Sequence, residues 1–241
     1  MDLNLIVPTC WQELTQSQLR YVFFLISEGY SQTAIQTHCL CRWSGLEVLC
    51  PEGDGYSVRH NYAIHHINAQ QMAEVLSRID WLNRLPIVPL RIPEIQKCKA
   101  VAADLQGIPF ESYLVLENLF QGYLTTTNAE LLDDATPILY GKQLKLLPEE
   151  RISIFYWLST VKQYFARRWK HFFVSVGTTQ PENIQEHLQN LMDTQIRALT
   201  KGDITKEKEV LQMDVHRALT ELDAQAREYE ELKRETKSST L

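Results

Sequence analysis

The sequence predicts a mainly α-helical protein, with a small β-hairpin or three-stranded element in its N-terminal half and a helical hairpin at its C-terminal end. Three observations carry that expectation. Apolar residues recur at helical spacing over most of the chain, most regularly where Leu211, Val215, Ala218, Leu222, Gln225, Tyr229 and Leu232 follow at alternating intervals of four and three. Short β-prone runs bounded by turn residues are confined to residues 46–67. Glycine is scarce, nine residues of 241, which weighs against folds built on glycine-rich phosphate loops.

At the start, Thr9-x-x-Gln12 and Thr15-x-x-Gln18 both have capping-box form, in which each side chain satisfies the other residue's backbone N–H. Leu19, Val22, Phe23 and Ile26 continue the second helix, and Gly29 is its stop. Ser31 caps a further helix that carries Ala34, Ile35 and His38 and ends near Gly45. Leu46–Cys50 and Tyr56–His60 read as strands joined through Pro51–Gly55, with a third strand from Tyr62 to Ile67. Asn68 then caps a helix with Met72, Val75, Leu76 and Ile79 on its inner face. Pro86, Pro89 and Pro93 punctuate an extended joint in which Ile87, Val88, Leu90 and Ile92 are expected to be buried. The joint separates residues 1–93, a helical subdomain with the hairpin, from residues 94–241, a helical subdomain, or bends one continuous domain.

The second half reads almost wholly as helix. One helix runs from Phe110 to Tyr123, and Asn128 restarts another that reaches Tyr140. Pro148 suits a first helical position, with two glutamates at the positive end of the dipole, and that helix is expected to run to about Val176. Pro181 opens the next, which ends at Gly202, and Thr205 opens the last.

Composition narrows the functional classes. A net charge of −6 lowers the expectation of wholesale nucleic-acid binding. The first Lys or Arg is Arg20, so no basic leader is visible, and the apolar run Tyr21–Ile26 is far short of the roughly 20 residues that span a bilayer. Five cysteines, Cys10, Cys39, Cys41, Cys50 and Cys98, lack paired spacing, which suits reduced thiols in a cytoplasm.

Three groups of residues are candidates for function. In the last helix Asp214, Glu221, Glu228 and Glu235 share one flank, opposite Leu219 and Ala226. That helix either folds back on residues 182–200 or pairs two copies of the chain. Pairs four apart, Asp223 with Arg227 and Glu230 with Arg234, support the helix itself. The second group is the aromatic and basic segment 151–173, with Trp157, Tyr164 and Trp169 beside Arg167, Arg168 and Lys170. Such a mixture suits single-stranded nucleic acid. Yet Ile152, Phe155, Leu158, Val161, Phe165, Trp169 and Phe172 fall at helical spacing, as a core stripe would. The cations also have a counterpart in residues 101–140, with six acidic residues and no Lys or Arg. The third group, His38, Cys39, Cys41, Cys50, His60, His65 and His66, lacks the second ligand pair that structural zinc needs, so no metal is expected. Catalytic motifs are missing, and no cofactor is expected. The chain reads as a non-enzymatic protein that acts by binding other proteins. Its candidate partner-binding residues are Trp157, Tyr164, Arg167, Arg168, Trp169, Asp214, Glu221 and Glu228.

Several blocks resemble bacteriophage and prophage proteins of the morphogenesis region, described as tail-assembly-associated or chaperone-like. They are Pro8-Thr9-x-Trp11-x-x-Leu14-Thr15-x-x-Gln18-Leu19, Trp157-x-x-x-Val161-Lys162, and the closing Gly202-Asp203-Ile204-Thr205-Lys206-Glu207 with Arg217-Ala218-Leu219-Thr220-Glu221-Leu222. The resemblance implies a protein of the host cytoplasm that binds other phage proteins during particle assembly. It carries over no catalytic residue.

Overall fold

The structure, a computed structural model, describes residues 5–173 and 184–238, with the backbone alone at 184–189 and 237–238. After a 3-10 turn at Trp11–Glu13 come α1 (Gln16–Ser27), α2 (Gln32–Ser44), β1 (Glu47–Glu52), β2 (Gly55–His60), β3 (Ala63–Asn68) and α3 (Ala69–Ser77). A two-stranded ribbon, β4 (Glu94–Ile95) and β5 (Cys98–Lys99), leads to α4 (Phe110–Thr126), α5 (Glu130–Asp133) and α6 (Thr136–Tyr140). Then follow α7 (Pro148–Arg168), α8 (Ile184–Thr200), α9 (Glu207–Leu211) and α10 (Val215–Ser238). The fold is mainly α, with a three-stranded antiparallel sheet in its N-terminal half. No described helix is long and apolar enough to cross a membrane.

The chain forms two compact units. The first holds the residues up to Pro86 with Leu90–Pro93 and Leu146–Tyr156; the second holds Ile87–Pro89, Glu94–Lys145 and the residues from Trp157 onward. Helix α7 therefore contributes its first turns to one unit and the remainder to the other.

In the first unit the caps decide where helices begin. Thr15 and Gln18 form the expected reciprocal box, with Gln18 returning to the Thr15 N–H at 2.9 Å. Thr9 behaves differently. Its N–H and hydroxyl both reach the Glu13 carboxylate, at 2.6 and 3.0 Å, and only a 3-10 turn follows. That turn drives Trp11 inward, where Phe23 stacks on it at 6.5 Å and Trp81 meets it edge-on at 5.4 Å. Its indole N–H donates to the Arg84 carbonyl at 2.8 Å, so the buried polar atom is satisfied. Ser31 caps α2 and Asn68 caps α3 with a full box to Gln71.

The sheet runs in the order β1-β2-β3. Strand β1 extends to Glu52, so Pro51 lies within it and the turn shrinks to Gly53 and Asp54. Val58 and Ile67 are buried on one face. At the joint, Ile92 is buried as expected, but Ile87 and Val88 are 72% and 52% exposed and Leu90 is half-buried. Pro86 and Pro89 occupy the inward positions in their place.

The second unit packs α4, α7 and α10 around Phe110, Leu116, Trp157, Phe165, Leu219 and Leu132, all buried. One helix start and one helix end differ from the sequence expectation. The last helix does not open at Thr205: Asp203 accepts from the Thr205 N–H to start a 3-10 turn, α9 ends at Leu211, and Asp214 then caps a new helix. Helix α7 ends at Arg168, and Trp169–Phe173 form a turn. Val176 and Pro181 lie outside the described residues.

Candidate partner-binding surface

All eight candidate residues belong to the second unit, on α7 and its following turn or on α10 and its cap. Trp157 is fully buried, and its indole N–H donates to the Ala103 carbonyl at 2.6 Å. Trp169 is buried too, edge-on to Phe165 at 4.9 Å and to His216 at 5.2 Å, with its N–H on the Thr220 hydroxyl at 3.1 Å. Both tryptophans thus serve the packing of α7 against its neighbours, which removes them from any surface a partner touches.

Arg167 and Arg168 at the end of α7 are exposed but engaged. Arg167 donates to the Ile87 carbonyl. Arg168 donates to the Tyr164 hydroxyl at 2.7 Å and lies over the Trp169 ring at 5.2 Å. Lys162 pairs with Glu117 of α4 at 2.5 Å, the internal acidic partner that the charge distribution along the chain suggested.

Asp214 is a structural cap. One carboxylate oxygen accepts from the N–H groups of His216 and Arg217, at 2.9 and 3.3 Å, and the other from the Gly107 N–H at 2.6 Å. Beside it a short antiparallel bridge joins Pro109 to Asp214: the Phe110 N–H donates to the Met213 carbonyl at 2.8 Å and the Val215 N–H to the Ile108 carbonyl at 3.0 Å. The start of α10 is thereby tied to the start of α4. His216 extends the tie, its Nε2 lying 2.7 Å from the Asp104 carbonyl.

Farther along α10 the acidic residues find local partners. Asp223 accepts from the N–H groups of His171 and Phe172, at 2.8 and 3.0 Å, and Glu230 lies 3.2 Å from the His171 ring. These carboxylates hold the turn after α7, a use the spacing of charges along α10 alone did not reveal. Glu221 and Glu228 remain exposed. Glu221 stands at the rim of a shallow groove of ≈ 490 Å³ lined by Leu199, Met213, His216, Arg217 and Thr220. The sequence reading missed this groove because its residues come from α8, the break before α10 and α10 itself.

The apolar stripe of α10 changes character along its length. Val215, Ala218 and Leu222 are buried, Gln225 is half-buried, and Tyr229 and Leu232 are 67% and 62% exposed. Every described side chain from Glu231 to Thr236 is exposed, so the helix has left its own core there. Among the described residues no group of three His, Cys, Asp or Glu side chains is placed to hold a metal ion. No protein-family model, curated protein or solved structure matches the chain.

Proposed function

We propose that the chain is a non-enzymatic assembly factor that binds other proteins of a phage or prophage particle, tail components foremost, in the host cytoplasm. Its binding surface is the outward half of α10. The observation that supports this is the stripe that begins sealed at Val215, Ala218 and Leu222 and ends open at Tyr229 and Leu232. A helix that carries its apolar stripe beyond its own core offers anchors three residues apart, of the kind that enter a groove on another protein. Glu228, Glu231 and Glu235 flank the anchors together with Arg227, Lys233 and Arg234, so the matching groove has a rim of mixed charge. The resemblance of the closing block to morphogenesis-region proteins suggests the particle as the source of that groove.

The test is a pull-down of the tagged chain from its native cell, alongside a Tyr229→Ser/Leu232→Ser variant. Virion proteins should come down with the parent and be lost with the variant at an unchanged melting temperature. Equal recovery by both, or nucleic acid without virion proteins, would refute the reading. A nucleic-acid surface at Arg167, Arg168 and Lys170 has less support, since two of its three cations already serve neighbouring groups. It predicts oligonucleotide binding that weakens steeply with salt.

A further inference from the structure

The two edges of the three-stranded sheet are unlike. Strand β1 slips register between Val48 and Cys50 and contains Pro51, which has no N–H to offer, so a further strand cannot lie along it. Strand β3 runs in unbroken register with β2 and has neither proline nor a Lys or Arg to blunt it. Its Ile64 is 64% exposed.

The turn fixes which backbone groups β3 points outward. Asn61 and Tyr62 have φ of 47° and 66°, and the two-residue loop they make closes on His60 and Ala63 as a hydrogen-bonded pair. Alternation then turns Ala63, His65 and Ile67 toward β2. The Ala69 N–H continues that series onto the Asp54 carbonyl at 3.3 Å. Ile64 and His66 therefore face away from the sheet. Beyond them Tyr62 lies in the turn, and the Asn68 N–H is taken by the Gln71 side chain at 3.0 Å. The open edge is the N–H and C=O of these two residues.

We infer that β3 pairs antiparallel with β3 of a second copy, about a two-fold axis at His65. Ile64 of each copy then lies opposite His66 of the other, and each such pair exchanges both of its backbone hydrogen bonds. Every group of the open edge is used and none is left over, because the two residues interchange under the axis. The two Ile64 side chains share a face and meet diagonally across it. The joined sheet ends on β1 at both sides, where the slip and Pro51 stop further addition, so the assembly closes at two copies. A second copy brings the same two residues to the axis in the reverse order, so both pairs form by symmetry alone. This pairing uses none of the α10 surface and stands whether or not that surface takes a partner.

Light scattering on the full chain over a dilution series tests it, with Ile64→Lys as the disrupting variant. The native chain should weigh as a dimer at high concentration, and I64K as a monomer with an unchanged circular dichroism spectrum. A second variant reads the register: His65 faces its own counterpart at a non-hydrogen-bonded pair, about 4.5 Å between Cα atoms and within disulfide reach. His65→Cys in a Cys50→Ser background should give a covalent dimer under mild oxidation, while Cys50→Ser alone does not. A native chain that stays monomeric overturns the inference. So does a dimer that survives I64K, or one that the Tyr229→Ser/Leu232→Ser variant dissolves in its place.

Discussion

Asp214 shows how one side chain can hold two helices at once. Its carboxylate satisfies two orphan N–H groups of α10 and reaches back to the Gly107 N–H ahead of α4. Asp214→Ala should therefore cost about 2–3 kcal/mol, more than a simple cap, with Asp214→Asn retaining over half of that. Urea unfolding followed at 222 nm measures both, and an alanine variant as stable as the parent would contradict the geometry. Cys39 is a buried thiol with a pH-dependent role in stability. Burial pushes its thiol from the ordinary 9.0 up to about 12, and burial likewise raises the Tyr113 and Tyr156 hydroxyls. The folded state keeps these protons where the unfolded chain releases them. The Cys39 contribution is thus complete below pH 9.0 and is lost as pH rises through about 12, and that of the two tyrosines is lost only above their ordinary 10.0. Urea midpoints should fall from pH 9 upward, less steeply in Cys39→Ala. Native-state alkylation should label exposed Cys50 well before Cys39. Sequence marks Asp214 as a charged position on a helical flank; it does not say that the helix begins there, because the apolar spacing runs unbroken through Leu211, Val215 and Ala218.

Helix starts were legible at three of the expected caps, though not at Thr9, which has Gln12 at the same spacing but turns to Glu13. Thr15, Ser31 and Asn68 each start a helix from a local signal, and the three-stranded meander follows from turn chemistry on one side of β2. The signal fails where the turn lacks glycine. Asn61–Tyr62 and Gln96–Lys97 both take positive φ without it, and the short β4–β5 ribbon around Gln96–Lys97 left no trace in the sequence pattern. Helix α7 adds a feature that only the folded chain shows. Glu150 is 3% exposed, yet it pairs with Arg20 at 3.0 Å and accepts the Leu147 N–H at 3.0 Å. The glutamate therefore closes the first turn of α7 and ties it to α1. Glu150→Ala removes one carboxylate partner of Arg20 and the acceptor of the Leu147 N–H, and should destabilise the first unit by about 2–3 kcal/mol. Glu150→Gln keeps the acceptor and should lose about half as much. Thermal melts of the two variants give the comparison, and equal losses would show that the ion pair, not the cap, dominates.

For the chain as a whole, the helical class was written in its periodicity, but the division into units was not, because segments far apart in sequence are interleaved in each. The candidate surface was half legible. The stripe on α10 could be read from spacing, while its passage from sealed to open depends on where its neighbours, α8 and α4 among them, stop covering it. This fixes where the chain can be cut. Removal of residues 203–241 takes away Val215, Ala218, Leu219 and Leu222, each at most 4% exposed, and should unfold the second unit. A chain ending at Glu230 keeps them, together with the Glu230–His171 contact, and should retain its near-UV circular dichroism. A residue 1–202 fragment with native near-UV signal would show that α10 is dispensable to the core. The bridge between Pro109 and Asp214 has a further consequence, in time. The Gly107 N–H waits 107 residues for its carboxylate, so at about 5–20 residues per second the ribosome needs roughly 5–20 s to deliver it. Throughout that interval the nascent chain presents the part of α4 that α10 later covers, a standing invitation to a holdase until α10 emerges.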